Sequence, residues 1–265
     1  MRRGYLFWGV AFILVGGLLL ADDIGIKLPN GMSAADLFWP IALVLLGMWV
    51  LAGVFFQGNA DVQTASIDLQ GARTATLRIS HGAGELKIRS GAAANELMHG
   101  TFTGGLDHKA DRNGDRLEVR LRPARDLMDF PFLGPRFRLD WDLALNRDVP
   151  TELTLNLGAN KSTLDLHDLS ITDLKLDTGA SDTNLILPAR GRYRADLDMG
   201  AASIEINIPD GLSARIRAEL GAADLQLDGA RFLYNGRYYQ SSDFDSAANA
   251  VDLSIDAGAA SIRIT

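Results

Sequence analysis

A Gly-Ala dipeptide returns at a fixed interval in this chain. It stands at Gly158-Ala159, Gly179-Ala180, Gly200-Ala201 and Gly221-Ala222, each copy 21 residues after the last, with outlying copies at Gly82-Ala83 and Gly258-Ala259. A constant interval of this size marks an array in which one small unit stacks on the next. The flanks repeat as strictly as the dipeptide. Before Gly200, Ala195, Leu197 and Met199 alternate with Asp196 and Asp198; after it, Ile204, Ile206 and Ile208 alternate with Glu205 and Asn207. Around Gly179 the same offsets give Leu174 and Leu176, then Thr183, Leu185 and Leu187; around Gly221 they give Ile216, Ala218 and Leu220, then Leu225 and Leu227. Alternation with period two turns one set of side chains inward and the other toward water, so each half-repeat reads as a strand.

Two all-β architectures fit. In a right-handed β-solenoid-like domain each 21-residue repeat is one coil, and equivalent strands lie side by side. In an antiparallel meander or sandwich each Gly-Ala is a two-residue turn, and Gly in first place suits type II′. The constant spacing favours the solenoid, because an inserted residue would have to bulge out of the stack. Gly82, Gly158, Gly179, Gly200, Gly221 and Gly258 are then structural corners, with glycine suited to a left-handed backbone and alanine keeping the corner narrow. Gly179, Gly200 and Gly221 are expected in one column, about one strand spacing apart.

Such a stack has outward files. Asn156, Asp177, Asp198 and Glu219 share one offset, and Thr154, Lys175, Asp196 and Arg217 the neighbouring one. A calcium ladder would need six or more converging oxygens, and basic residues interrupt this pattern, so no metal is expected.

Residues 1–56 read as a different solvent's protein. Tyr5–Ala21 is seventeen residues without a charge and Leu37–Phe56 is twenty; about 20 apolar residues span a bilayer. Trp8, Trp39 and Trp49 lie toward run ends, as amphipathic rings prefer the headgroup layer. Pro29-Asn30-Gly31 makes a turn between the runs, and Ser33 to Asp36 resembles a helix-capping box. The segment reads as an α-helical transmembrane hairpin. A cleaved signal peptide is the alternative for the first run, although Leu19 and Ala21 make a poor cleavage site. Arg2 and Arg3 should stay in the cytoplasm, and two spans then return residues 71–265 to the cytoplasmic side. If the first run only dips into the bilayer, the domain faces outward.

Residues 57–70 are expected to be a linker and 71–265 the solenoid. Ala75, Leu77 and Ile79 before Gly82, with Leu86 and Ile88 after it, form a first copy of the frame, and Gly104-Gly105 with inward Phe102 a degenerate one. Asn113-Gly114 reads as a turn. Two insertions break the period, at 123–150 and 229–250. The first is apolar and proline-rich, flanked by arginines: Phe130, Phe132, Arg136, Arg138 and Trp141 could contact a partner or a membrane surface, or the segment could plug an open end of the stack. The second holds Asn235-Gly236, a hairpin signal. Val251, Leu253 and Ile255, then Ile262 and Ile264, are expected to complete the last coil.

The chain has no cysteine, which excludes disulfides, thiolate metal sites and a cysteine nucleophile. Its net charge of −7 argues against a nucleic-acid partner. His81, His99, His108 and His167 show no metal-ligand spacing, and no nucleophile elbow, phosphate loop or dinucleotide fingerprint is present. Carboxylates on neighbouring coils (Asp177, Asp182, Asp198 and Asp224) could form a glycosidase pair, but acids are the ordinary filler of the outward face. No catalytic residue and no cofactor is expected.

Arg2-Arg3-Gly4-Tyr5-Leu6-Phe7-Trp8-Gly9, an apolar run, a short loop and Phe38-Trp39-Pro40 opening a second run resemble the transmembrane module of LiaI/LiaF-like bacterial envelope-stress proteins. The Leu-x-Leu-Gly-Ala and Gly-Ala-x-x-Leu-x-Leu strings of the remainder resemble toast-rack and adhesin-type solenoid domains. The resemblance implies a non-enzymatic protein of the bacterial cytoplasmic membrane whose partners are the bilayer and another protein. Some LiaF-like members restrain a sensor kinase of the cell-wall antibiotic response, so an envelope-stress sensor kinase is the expected class of partner. Homo-oligomerisation stays open. LiaF proteins commonly carry more spans than the two found here. A membrane-anchored extracytoplasmic adhesin or glycan-binding solenoid is the alternative function.

Overall fold

The computed structural model describes residues 62–124 and 139–265. The expected membrane hairpin, together with Phe130, Phe132, Arg136 and Arg138, lies outside them. Seventeen strands follow in chain order: β1 (Val62–Asp68), β2 (Thr74–Ser90), β3 (Glu96–Thr103), β4 (Asp107–Asn113), β5 (Arg116–Arg122), β6 (Leu139–Leu145), β7 (Thr151–Asp165), β8 (Ile171–Thr178), β9 (Asp182–Ile186), β10 (Arg192–Met199), β11 (Ser203–Asn207), β12 (Ser213–Leu220), β13 (Asp224–Leu227), β14 (Leu233–Tyr234), β15 (Tyr239–Gln240), β16 (Ala250–Ala257) and β17 (Ser261–Ile264).

The strands form two ladders joined by the long strands β2 and β7. The first runs β4–β5–β2–β7–β8–β10–β16–β12–β15–β14 and is parallel from β5 to β12. The second runs β1–β3–β6–β2–β7–β9–β11–β17–β13 and is parallel from β6 onward. Within one repeat, as in β8 and β9, the two strands pair with neighbouring coils and not with each other. This excludes the meander and establishes the stack. Inward residues of both ladders share one core, with Leu155, Leu176 and Leu197 from the first meeting Leu164, Leu185 and Ile206 from the second. Alternation along each strand fills that core from one side of the backbone only.

The corner glycines do stack, but for another reason than expected. None has a left-handed backbone; the positive φ values fall on Gln70 and on other glycines, such as Gly191 and Gly211 in the loops between coils. The Gly-Ala segments instead pass close to one another. Gly200 N–H donates to Thr178 O at 2.9 Å and Ala201 N–H to Gly179 O at 2.9 Å. A methyl group at Gly158 would lie 2.6 Å from Gly82 O, and one at Gly221 2.8 Å from Gly258 O. At Gly158 and Gly221 glycine is needed because the bend brings one coil's backbone against the next, leaving no room for a Cβ, whereas at Gly82 and Gly179 the nearest atoms, 3.7 and 3.4 Å away, leave space for one.

Three further expectations are corrected. The C-terminal coil is not last in space: β16 lies between β10 and β12, and β17 between β11 and β13. The corner column therefore runs Gly82, Gly158, Gly179, Gly200, Gly258, Gly221. Residues 62–68, inside the expected linker, form β1 and pair with β3. Gly104-Gly105 is no coil corner, because β3 is antiparallel to both its neighbours; Phe102 is nonetheless fully buried. The Asn113-Gly114 and Asn235-Gly236 turns join β4 to β5 and β14 to β15.

Candidate functional site

Three regions carry polar or incompletely packed groups: the outer faces of the ladders, a buried polar group beside the first corners, and the far end of the stack. On the first ladder, register aligns Asp177, Asp198, Asp256 and Glu219 on four successive strands. All four are exposed. Like charges about 4.8 Å apart repel one another, and Lys175 and Arg217 stand in the next file. Arg217 reaches Asp252 at 3.2 Å. The face holds a shallow depression of about 430 Å³ between Asn156, Lys175, Asp177, Asp196, Asp198 and Asp256. A second depression, about 470 Å³, lies on the other ladder among Lys161, Thr163, Asp182, Asn184, Glu205 and Arg263. Side chains on both floors point outward in parallel rather than converging on a point. Of the carboxylates proposed as a glycosidase pair, Asp177 and Asp198 are neighbours on the first ladder, Asp182 lies on the second, and Asp224 on its last strand. Among the described residues no group of three or more His, Asp or Glu side chains could hold a metal ion.

Trp141, expected as a surface contact, is instead 1% exposed and packs edge-on against Phe102 and His81, with ring centroids 5.1 and 5.2 Å away. It lies at an inward position of β6. His81 occupies the inward position beside the first Gly-Ala. Its Nε2 lies 2.8 Å from Leu139 O, and its Nδ1 3.4 Å from the Asn160 amide nitrogen, which donates to Ser162 Oγ at 2.9 Å. Burial pushes the His81 pKa below its ordinary value, outweighing the Leu139 carbonyl and the Asp140 carboxylate, which favour the charged ring. Trp141 Nε1 and Asn160 Oδ1 have no hydrogen-bond partner among the described residues. This group specifies packing; it is sealed from solvent and is not a binding surface.

The far end of the stack is where the core opens. Leu220 is 36% exposed, Leu233 58% and Tyr234 61%, and Ala218, Ala223, Leu225 and Leu227 are half-buried. Leu233 and Tyr234 belong to β14, the others are inward positions of the coil carrying Gly221, and among the described residues no further coil stands beyond it. The β14–β15 hairpin covers only Arg215 and Ile216, at the start of β12. Periodicity could not reveal this end, since every coil carries the same pattern. The available signal was the break in the period after Gly221.

The corner column and the parallel two-ladder stack match a described architecture. The model for the N-terminal domain of toast_rack (DUF2154) matches residues 56–207, more than half of the sequence. The chain belongs to the toast-rack family. A LiaI-LiaF-like transmembrane region matches residues 6–51, so the toast-rack domain is anchored to a membrane. No curated protein matches the chain. Among solved structures, a candidate cell adhesion protein from Clostridium sporogenes ATCC 15579 shares 22% identity with a TM-score of 0.67, over 77% of this chain and 98% of that one. A candidate adhesin from Bacteroides fragilis NCTC 9343 covers 77% of this chain and 97% of that one at 8% identity, with a TM-score of 0.28. The first likeness concerns the toast-rack fold alone.

Proposed function

We propose that this toast-rack protein is a non-enzymatic component of the bacterial cytoplasmic membrane that binds another protein, in the regulation of the cell-envelope stress response. The observation that carries the reading is the form of the polar surface. Extended files of parallel, outward side chains offer a large docking area, whereas catalysis needs groups converging on one reacting atom. A membrane segment holding that surface near the bilayer suits a partner that is itself a membrane protein, such as a sensor kinase. Mild crosslinking in native membranes, followed by purification of this chain, tests the reading. A membrane-protein adduct of constant identity is expected, and its absence under conditions that crosslink known complexes would refute it.

The alternative is an extracytoplasmic adhesin or glycan-binding solenoid, favoured by the fold shared with the Clostridium protein. The two readings require opposite sides of the membrane. Asp198 is exposed and the native chain has no thiol, so Asp198→Cys reports sidedness directly. Labelling by an impermeant maleimide only after the membrane is opened is the expected result. Labelling of intact cells would overturn the cytoplasmic placement and put the adhesin first.

A further inference from the structure

The parallel run of the second ladder ends in an open edge. β13 pairs with β17 on one side, and among the described residues no strand pairs with its other side. Asp224 N–H donates to Ala260 O at 2.9 Å. In a parallel ladder the N–H and C=O of one residue point the same way and successive residues alternate. Asp224 and Gln226 therefore bond to β17, while Leu225 and Leu227 direct both backbone groups to the open edge. The same end holds three of the four exposed large hydrophobic side chains of the described residues, Leu220, Leu233 and Tyr234; the fourth is Val62. An unpaired edge beside half-covered leucines is a template for strand addition.

Two observations say what fits there. The first is space. β15 already stands on the start of β12 as the next strand of the first ladder. It is held by Arg215 Nε donating to Gln240 Oε1 at 2.9 Å, and the approach to the hairpin by Arg231 donating to the carbonyls of Ile208, Pro209 and Leu212. A second copy pairing its β13 with this one would bring its own β12 level with β15, where that strand already sits. A single extended segment meets no such obstacle. The second is charge. The file Asp177, Asp198, Asp256, Glu219 lies on the first ladder and ends on β12, past the two residues that pair with β15; across the corner, Asp224 is the outward residue at the start of β13, beside Ser261. The next position in that file favours a cation.

We propose that the open edge formed by the end of β12 and by β13 receives an extended segment of a partner protein as an added strand that follows the corner as β7 does, its aliphatic residues facing Leu220, Leu225 and Leu227 and its alternate Lys or Arg residues facing Glu219 and Asp224. This rests on the partner-binding reading and names its site and chemistry. The short edge gives an attachment of a few backbone hydrogen bonds, suited to a reversible contact.

The test uses the full chain in native membranes with the photo-crosslinking residue benzoylphenylalanine at exposed Gln226, and separately at Asn184 on an outer face. Adducts from Gln226 are expected to map to a segment in which aliphatic and basic residues alternate. Leu225→Pro removes an outward N–H without touching the bonds to β17 and should lower the yield at least about tenfold. Asp224→Lys, at an exposed position, should lower it several-fold without affecting the fold. Adducts from Asn184 but none from Gln226 would overturn the edge site and leave the partner-binding reading standing; no adduct from either would remove both. Adducts between copies of this chain, or yields unchanged by both substitutions, would also overturn the proposal.

Discussion

The corner column predicts that one substitution, Gly→Ala, changes sign with position. At Gly158 the added methyl would sit 2.6 Å from Gly82 O, and at Gly179 it would sit 3.4 Å from Gly158 O. Neither glycine has a positive φ, so backbone strain does not separate them. At Gly179 the contact is an ordinary one, and alanine narrows the unfolded ensemble, which stabilises by about 0.4–1 kcal/mol. At Gly158 the same gain is opposed by a contact too short by about 0.8 Å, from 2.6 Å against an ordinary 3.4 Å. The two coils cannot part by that distance, because β2 and β7 are bonded along thirteen paired residues on both sides of the bend. Forcing an atom into so constrained a place costs about 1–3 kcal/mol, so Gly158→Ala should be destabilising by roughly 1–2 kcal/mol net. For a domain of this size, thermal unfolding followed by the strand signal in circular dichroism should shift by about 2–4 °C per kcal/mol. Gly158→Ala should melt several degrees below the parent, and Gly179→Ala at or slightly above it. Equal losses at both positions would refute close approach as the reason for glycine at Gly158.

Two further outcomes follow from the strand faces and the buried histidine. Leu197 is 2% exposed, so Leu197→Ala should cost about 2–5 kcal/mol, while Asp198→Ala on the outward face should stay within about ±0.5 kcal/mol, both read by denaturant unfolding. Because the folded-state pKa of His81 is lowered, the unfolded chain binds the proton more readily: stability from the neutral ring is complete above about pH 6.5 and declines as pH falls from there through the lowered folded value. The slope cannot exceed about 1.4 kcal/mol per pH unit, and His81→Gln should flatten the stability profile below neutrality; an unchanged profile would mean that folding does not shift the pKa of this ring.

Much of the fold is written locally. Alternation at Ala195, Leu197 and Met199, and at Ile204 and Ile206, decides which side chains face the core, because a strand sends successive residues to opposite sides. The 21-residue interval decides that the strands stack in register. The family resemblance rests on those same strings. The position of the C-terminal coil was not legible. Every coil presents the same apolar face and the same corner, so each edge accepts several neighbours equally well by local rules. Only the complete packing placed β16–β17 under β12–β13 and left Leu220, Leu225 and Leu227 at an open end. Trp141 is a related case: beside a proline-rich, arginine-flanked stretch it reads as a surface aromatic, yet the pleat of β6 turns it inward against Phe102 and His81. The glycine was found from the sequence, but its reason was not. A left-handed turn and a close approach of two backbones both select glycine, and only the distance from one coil to the next distinguishes them.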